Sequence, residues 1–200
     1  MIIFVWIPKT AGTSICCGMD IQKIKIGETT LVIKKDIVTY GHGLLKDVVK
    51  EGYLSAKAYN DAFKFCFIRN PLDRFVSLYF YSKAAGRISG SFDVFCKEFV
   101  RMKIDPPGSY NERRLSQFNL QTCWIRDMDF IGRYEHLQED YDTLCDILGL
   151  PQTKISHLNS SDHTRWEGYY NDKTRRLISD YYAEDLIFCR KNIHGLLNKE

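Results

Sequence analysis

The chain is predicted to be an α/β protein with a central parallel sheet flanked by helices. Two observations lead there. Short apolar runs, Ile2 to Ile7, Ile37 to Tyr40 and Phe65 to Ile68, alternate with stretches of helical spacing, the pattern of strands buried on both faces. Each run also ends in a polar cluster: Lys9 to Ser14, His42 and Arg69. In open parallel sheets, ligands sit at the carboxyl ends of the strands, so the clusters and the sheet predict the same place.

Taken in order, Ile2 to Ile7 is the first strand, with a short helix after Ser14 to about Asp20. Ile24 to Ile33 is ambiguous and reads as a small hairpin around Gly27. Ile37 to Tyr40 is a core strand ending at Gly41-His42-Gly43. Leu44, Leu45, Val48 and Val49 have helical spacing, with Gly52 as the stop. Phe65 to Ile68 runs into Arg69-Asn70-Pro71, where Asn70 is a good N-cap and Pro71 fits the first helical position. Leu72, Phe75, Val76, Tyr79 and Phe80 then form one apolar stripe. Phe92, Phe95, Cys96, Phe99 and Val100 repeat it, with Ser91 as cap. Asp105 to Gly108 is a loop, and Asn111 to Ile125 is expected to be helical with Leu115, Phe118 and Trp124 inward. Phe130 to Gly132 is a further strand. Leu137 to Leu148 is a helix stopped by Gly149 and Pro151. Ile155 to Tyr170 is loop-like, and Asn171-Asp172 caps one last helix carrying Leu177, Ile178, Tyr181, Tyr182 and Leu186.

At 200 residues the chain is most simply one domain, spanning 1–200. Its 44% hydrophobic and 26% charged residues are ordinary for a soluble globular chain. The net charge of +3 suits a local anion pocket and makes no case for bulk nucleic-acid binding. The cysteine count is odd, at seven, with no C-x-x-C pair. This argues against a zinc site or a disulfide framework and for a reducing compartment. No segment approaches the roughly 18 apolar residues of a membrane helix. The first strand begins almost at Met1, leaving no room for a signal peptide. Taken as the native start, this gives a cytoplasmic expectation.

Pro8-Lys9-Thr10-Ala11-Gly12-Thr13-Ser14 holds one cation, one glycine, three hydroxyls and no acid. A buried strand, a small-residue turn and a helix are how proteins hold a phosphate, through backbone N–H groups and the helix dipole. Gly12 would allow close backbone approach, Lys9 would supply full charge, and Thr10, Thr13 and Ser14 would supply donors. The order is not that of the nucleotide loop, in which Lys follows the second glycine. By itself the stretch also fits a strand end with a polar turn. Arg69 and Ser77 would grip a second phosphate from a helix start and its second turn, or be an ordinary salt bridge and a surface serine. Arg74 and Asp73 read as a helix-surface pair. His136, His157, His163 and His194 read as structural or surface residues.

Pro-Lys-Thr-x-Gly-Thr-Ser after a strand resembles the 5′-phosphosulfate loop of sulfotransferases, most closely the branch with the carbohydrate 2-O-sulfotransferases. Arg69-Asn70-Pro71-x-x-Arg74-x-x-Ser77 resembles that family's 3′-phosphate motif. Phe130-Ile131-Gly132-Arg133-Tyr134-Glu135 and the acidic helix after it resemble its later strand and helix, and His157 to Ser161 its late polar loop. The resemblance covers nearly the whole chain. It implies a P-loop-like three-layer fold and 3′-phosphoadenosine 5′-phosphosulfate (PAPS) as sulfuryl donor, with no metal. Lys9, Thr10, Ala11, Gly12, Thr13, Ser14, Arg69 and Ser77 would hold the donor, with Asn159 and Ser160 from the late loop.

The resemblance also implies that His42, after the second core strand, is the general base. The family's fuller version has two histidines there and this chain one; Glu28, Asp36 and Glu112 are possible substitutes. The implied acceptor is a hydroxyl, on a carbohydrate by family analogy. Lys83, Arg87, Arg113 and Arg114 would line an acidic-sugar groove, or simply be a solvated helix face. Eukaryotic relatives are Golgi proteins with an N-terminal anchor. This chain departs from them there, which points to a bacterial or viral version or a shortened piece. The rival functions are a small-molecule kinase, for which the loop lacks the usual lysine and metal ligands, and a non-catalytic nucleotide- or glycan-binding module.

Overall fold

The structure, a computed structural model, describes residues 1–19, 22–26, 29–34, 37–104, 117–156 and 165–191, with only the backbone for 22–34. Its six strands are β1 (Ile2–Val5), β2 (Gln22–Ile26), β3 (Thr29–Lys34), β4 (Ile37–Thr39), β5 (Phe63–Ile68) and β6 (Phe130–Arg133). They form one sheet in the order β2-β3-β4-β1-β5-β6. β4, β1, β5 and β6 are parallel, with Ile2 opposite both Ile37 and Phe63, and Phe65 opposite Phe130. β2 and β3 are antiparallel to each other, and β3 is antiparallel to β4. The parallel sheet therefore carries an antiparallel hairpin on one edge, with its strands on either side of Gly27.

The helices are α1 (Gly12–Gly18), α2 (Leu45–Lys50), α3 (Ala56–Asp61), α4 (Pro71–Ala84), α5 (Phe92–Ile104), α6 (Leu137–Leu148), α7 (Asp172–Tyr181) and α8 (Ala183–Lys191). One face of the sheet packs Phe4, Phe65 and Phe130 against Ile15 and Cys16 of α1 and Tyr141 and Leu144 of α6. The other packs Ile3, Val5, Cys66 and Ile131 against Leu45 and Val48 of α2, with Trp124 and Met128. A third cluster joins α4, α5 and α7 through Phe75, Phe95, Phe99 and Ile178. The fold is thus the expected α/β arrangement of a central parallel sheet between helices.

The local signals are realised where side chains dictate them. Asn70 Oδ1 accepts from the Leu72 and Asp73 amides, with Pro71 at the first helical position. Ser91 Oγ accepts from Val94 N ahead of α5. Gly149 ends α6 with a φ of 64°, which glycine adopts without strain.

Three expectations need correction. Of the helix expected over 111–125, the described part, 117–125, is a turn followed by a short 3-10 turn at Gln121–Cys123. The carbonyls of Gln117, Phe118 and Asn119 are taken by Arg74 and Tyr182 side chains instead of by helix amides. The single last helix is two, α7 and α8, broken at Tyr182, whose ring is fully buried and whose hydroxyl donates to the Phe118 carbonyl. Arg74 and Asp73 are not a surface pair: Arg74 is 0% exposed, and Asp73 pairs with Arg69. The sequence reading missed α3, capped by Ser55 Oγ on Ala58 N. Asp20, the 105–108 loop and the whole late polar loop, 157–161, lie outside the described residues.

Candidate active site

Parallel register brings the carboxyl ends of β1, β4, β5 and β6 to one edge. The loop after β1 carries Lys9, the turn after β4 carries His42, Arg69 follows β5 directly and Tyr134 follows β6. The expected polar clusters therefore stand along one rim.

The loop is strained where it matters. Lys9 has φ 68° and Ala11 φ 66°, neither of them glycine. Left-handed backbone at such residues is costly and persists only where surrounding contacts enforce it. Ala11 is the N-cap of α1 and makes no side-chain cap bond, so the first amides of α1 have no side-chain acceptor there. Thr10 is fully buried and its hydroxyl donates to the Ile7 carbonyl at 2.9 Å. Ser14 is buried as well, at 2% exposure. Gly12 is required by packing: a Cβ there would overlap the Trp6 indole. The close approach expected at Gly12 is thus made by Trp6.

Lys9 reaches over α4. Its ammonium stands 4.6 Å from the centroid of the half-exposed Tyr81 ring, and Arg87 stacks on the same ring at 5.1 Å. Burial lowers the Lys9 pKa from the ordinary lysine value of 10.5, and the Arg69 charge lowers it further.

Arg69 is buried at 6% exposure and firmly oriented. Its Nε and Nη2 donate to both Asp73 oxygens at 2.8 Å, and Nη1 donates to the Lys9 carbonyl at 3.2 Å. Its face lies 3.9 Å from the Tyr134 ring centroid. A guanidinium has five N–H groups, so these three bonds leave two for an anion. Ser77, two turns into α4, is buried at 3% exposure and so is no surface residue. It shares a face of α4 with Tyr81 and Asp73, each one turn away. Arg69 thus does make a salt bridge, and that bridge aims it at the loop.

His42 is exposed and held through its ring and its backbone. Nδ1 lies 2.8 Å from the Trp6 carbonyl. A carbonyl only accepts, so in the neutral ring Nδ1 carries the proton and Nε2 the lone pair. The Trp6 ring meets the imidazole edge-on at 5.4 Å, and Trp124 Nε1 donates to the His42 carbonyl at 3.2 Å.

Sequence reasoning missed the role of four supports: Arg74, Gln121, Asp185 and Trp6. Gln121 bonds the Arg69 backbone on both sides, Oε1 accepting from Arg69 N and Nε2 donating to Arg69 O. Asp185 accepts from the Gln121 and Thr122 amides. Burial raises the Asp185 pKa against the pull of those two amides. Only the tertiary fold brings Gln121 to the Arg69 backbone and Asp185 to Gln121; the Arg74 signal was its place in the motif.

Lys83 donates to the Tyr79 hydroxyl at 3.4 Å, while Arg87 stays beside Lys9 on Tyr81. His136 is half-exposed and bonds Glu139, as a surface histidine. Glu28, Asp36, Glu112, Arg113, Arg114, His157, Asn159, Ser160, His163 and His194 lie outside the residues whose side chains are described. All seven cysteines are thiols without a disulfide. No cluster of metal-ligating side chains occurs among the described residues.

Residues 1–194 match the model of the Sulfotransferase family. The chain belongs to that family. Carbohydrate sulfotransferase 14 of Danio rerio is 31% identical over 144 residues, which is 60% of this chain and 37% of the fish protein. The chain thus matches little more than a third of that relative's length. An uncharacterized protein of Archaeoglobus fulgidus is 31% identical over 109 residues, 52% of this chain and 82% of that protein. A crystal structure of a sulfotransferase from Alicyclobacillus acidocaldarius superposes with a TM-score of 0.44 at 17% identity, over 70% of this chain and 58% of its own. No helix among the described residues of this sulfotransferase-family chain is long and apolar enough to cross a membrane.

Proposed function

We propose that this chain transfers the sulfuryl group of PAPS to a hydroxyl, on a carbohydrate acceptor, by in-line displacement. The observation that carries the reading is the bond from Arg69 Nη1 to the Lys9 carbonyl. It joins the two motifs, each at its own strand end, into one site that brings together the Lys9 ammonium and the two remaining N–H groups of Arg69. A ligand with two separated phosphate groups answers that pattern, and PAPS is such a ligand. Family membership and the carbohydrate sulfotransferase relative support the same reading.

PAPS supplies an activated sulfuryl group and a good leaving group. The amides at Ala11 to Ser14 hold the 5′-phosphate, with the α1 dipole behind them. The two remaining N–H groups of Arg69, with Ser77, take the 3′-phosphate. His42 Nε2 accepts the acceptor's proton as its oxygen bonds to sulfur; Nδ1 stays on the Trp6 carbonyl, so the ring does not turn away from its work. Lys9 faces the oxygen on which charge grows as the sulfur–oxygen bond to the phosphate breaks. The products are a sulfate ester and adenosine 3′,5′-bisphosphate, and the proton rests on His42.

The test is calorimetric titration with adenosine 3′,5′-bisphosphate, with ATP and Mg²⁺ in parallel. Micromolar binding of the bisphosphate without metal, lost in Arg69→Ala, is the expected result. Binding of ATP alone, and only with Mg²⁺, would replace this reading with the kinase.

A further inference from the structure

Two consecutive peptide planes of the β1–α1 loop are each gripped by an arginine, one by Arg74 of α4 and the next by Arg69, which precedes that helix. Arg74 Nε donates to the Pro8 carbonyl at 2.9 Å, and Arg69 Nη1 donates to the Lys9 carbonyl at 3.2 Å. In a planar trans peptide the N–H points opposite to the C=O. Holding the Pro8 carbonyl therefore turns the Lys9 amide away from Arg74, and holding the Lys9 carbonyl turns the Thr10 amide away from Arg69. The bend between the two planes is the left-handed φ of 68° at Lys9. A non-glycine residue keeps such a bend only where neighbours enforce it.

Arg74 is itself 0% exposed. Its other two bonds go to the Gln117 carbonyl at 2.7 Å and the Asn119 carbonyl at 3.1 Å. All three bonds end on backbone oxygens and none on a carboxylate. A fully buried guanidinium used this way makes no direct bond to an acid; it sets where three carbonyls stand. Its fork spans the phosphate loop on one side and, on the other, the segment leading to Gln121, which clamps Arg69. A lysine ammonium has no planar fork and cannot reproduce that set.

We propose that Arg74 is a positioning residue for the 5′-phosphate loop: it fixes the Pro8–Lys9 peptide and, with Arg69 on the next plane, holds Lys9 in its bend with the following amides presented to an anion. This rests on the donor site described above. It predicts that Arg74 serves the 5′-phosphate far more than the 3′-phosphate, because Arg69 keeps its own bonds to Asp73, and Gln121 its anchor on Asp185, without Arg74.

The experiment compares adenosine 3′,5′-bisphosphate with adenosine 3′-monophosphate by calorimetry, in the wild-type protein and in Arg74→Lys. The wild type is expected to prefer the bisphosphate by more than about tenfold, from charge-assisted and amide bonds to the second phosphate. In Arg74→Lys that preference is expected to fall below about threefold while the 3′-monophosphate affinity stays within about twofold. General loosening of the fold would weaken both ligands together, so a folded variant that does so, or one that keeps the wild-type preference, overturns the proposal. If Arg74→Lys does not fold, hydrogen exchange at the wild-type Arg74 Nε–H decides. Stronger protection by the bisphosphate than by the 3′-monophosphate supports the proposal, and equal protection overturns it. A wild-type protein that binds neither nucleotide overturns the donor-site reading, and this inference with it.

Discussion

At the scale of single residues, the site includes one cation, Lys9, that is held without a carboxylate partner among the described residues. Lys9 packs on the Tyr81 ring and not on a carboxylate, which leaves its charge available for the leaving group of the proposed reaction. Tyr81→Phe keeps the ring and should keep turnover. Tyr81→Ala should lower turnover about three- to tenfold, the worth of one half-exposed cation–π contact, while bisphosphate binding measured by calorimetry stays near wild type. The lowered Lys9 pKa has a second consequence. In the proposed reaction its ammonium is the working form, so kcat/KM should fall as pH rises through a value below 10.5, and Lys9→Arg should move that limb upward. The same shift has a sign for stability. The folded state disfavours this charge, so the cost is present at neutral pH and vanishes as pH rises through the folded and then the unfolded pKa. Lys9→Met should therefore melt higher than wild type at pH 7 while losing transfer activity. For the proposed base, His42→Asn keeps a donor for the Trp6 carbonyl but lacks Nε2, and should cost on the order of 10² to 10⁴ in rate with donor binding retained.

At the scale of elements, glycine and the caps decide where strands and helices meet. Gly12 lies under the Trp6 indole, and Gly132 of β6 lies against the Phe67 ring of β5, where a Cβ would overlap the ring. Gly132→Ala should destabilise by about 1–3 kcal/mol, the usual cost of overpacking a filled core, read as a lower thermal midpoint. Asn171 makes a reciprocal capping box with Thr174 at the start of α7. Asn171→Ala should cost about 1 kcal/mol, or roughly 2–4 °C of melting temperature for a chain of this size. Donor binding should be little affected, because α7 packs in the α4–α5 aromatic cluster, away from the strand ends.

At the scale of the molecule, the candidate site is assembled from segments far apart in sequence: the loop after β1, the turn after β4, the start of α4 and the strut from Gln117 to Thr122. Asp185 of α8 holds that strut by two backbone amides. A ligand that bridges the Lys9 and Arg69 centres should therefore stabilise the whole sheet edge. At a hundredfold excess over its dissociation constant, adenosine 3′,5′-bisphosphate should add about 2.7 kcal/mol to stability, visible as a raised melting temperature that Arg69→Ala abolishes.

Much of this was legible in the sequence, for local reasons. Apolar runs of strand length, the Asn70-Pro71 helix start and the stripe of α4 are set by near neighbours. So was the placement of Lys9, His42 and Arg69 at strand ends, since a parallel sheet puts all such ends on one side. Four things only the tertiary structure decided. Periodicity suggested a helix over 111–125, but the buried Arg74 and Tyr182 groups take the carbonyls of its 117–119 part. The last helix breaks in two because the Tyr182 ring must enter the core. Gly12, read as serving an anion, is demanded by Trp6. Arg74, spaced like a surface residue, is the most deeply buried cation of the site. Each depends on a partner 6 to 66 positions away, and spacing along the chain carries no information about such contacts.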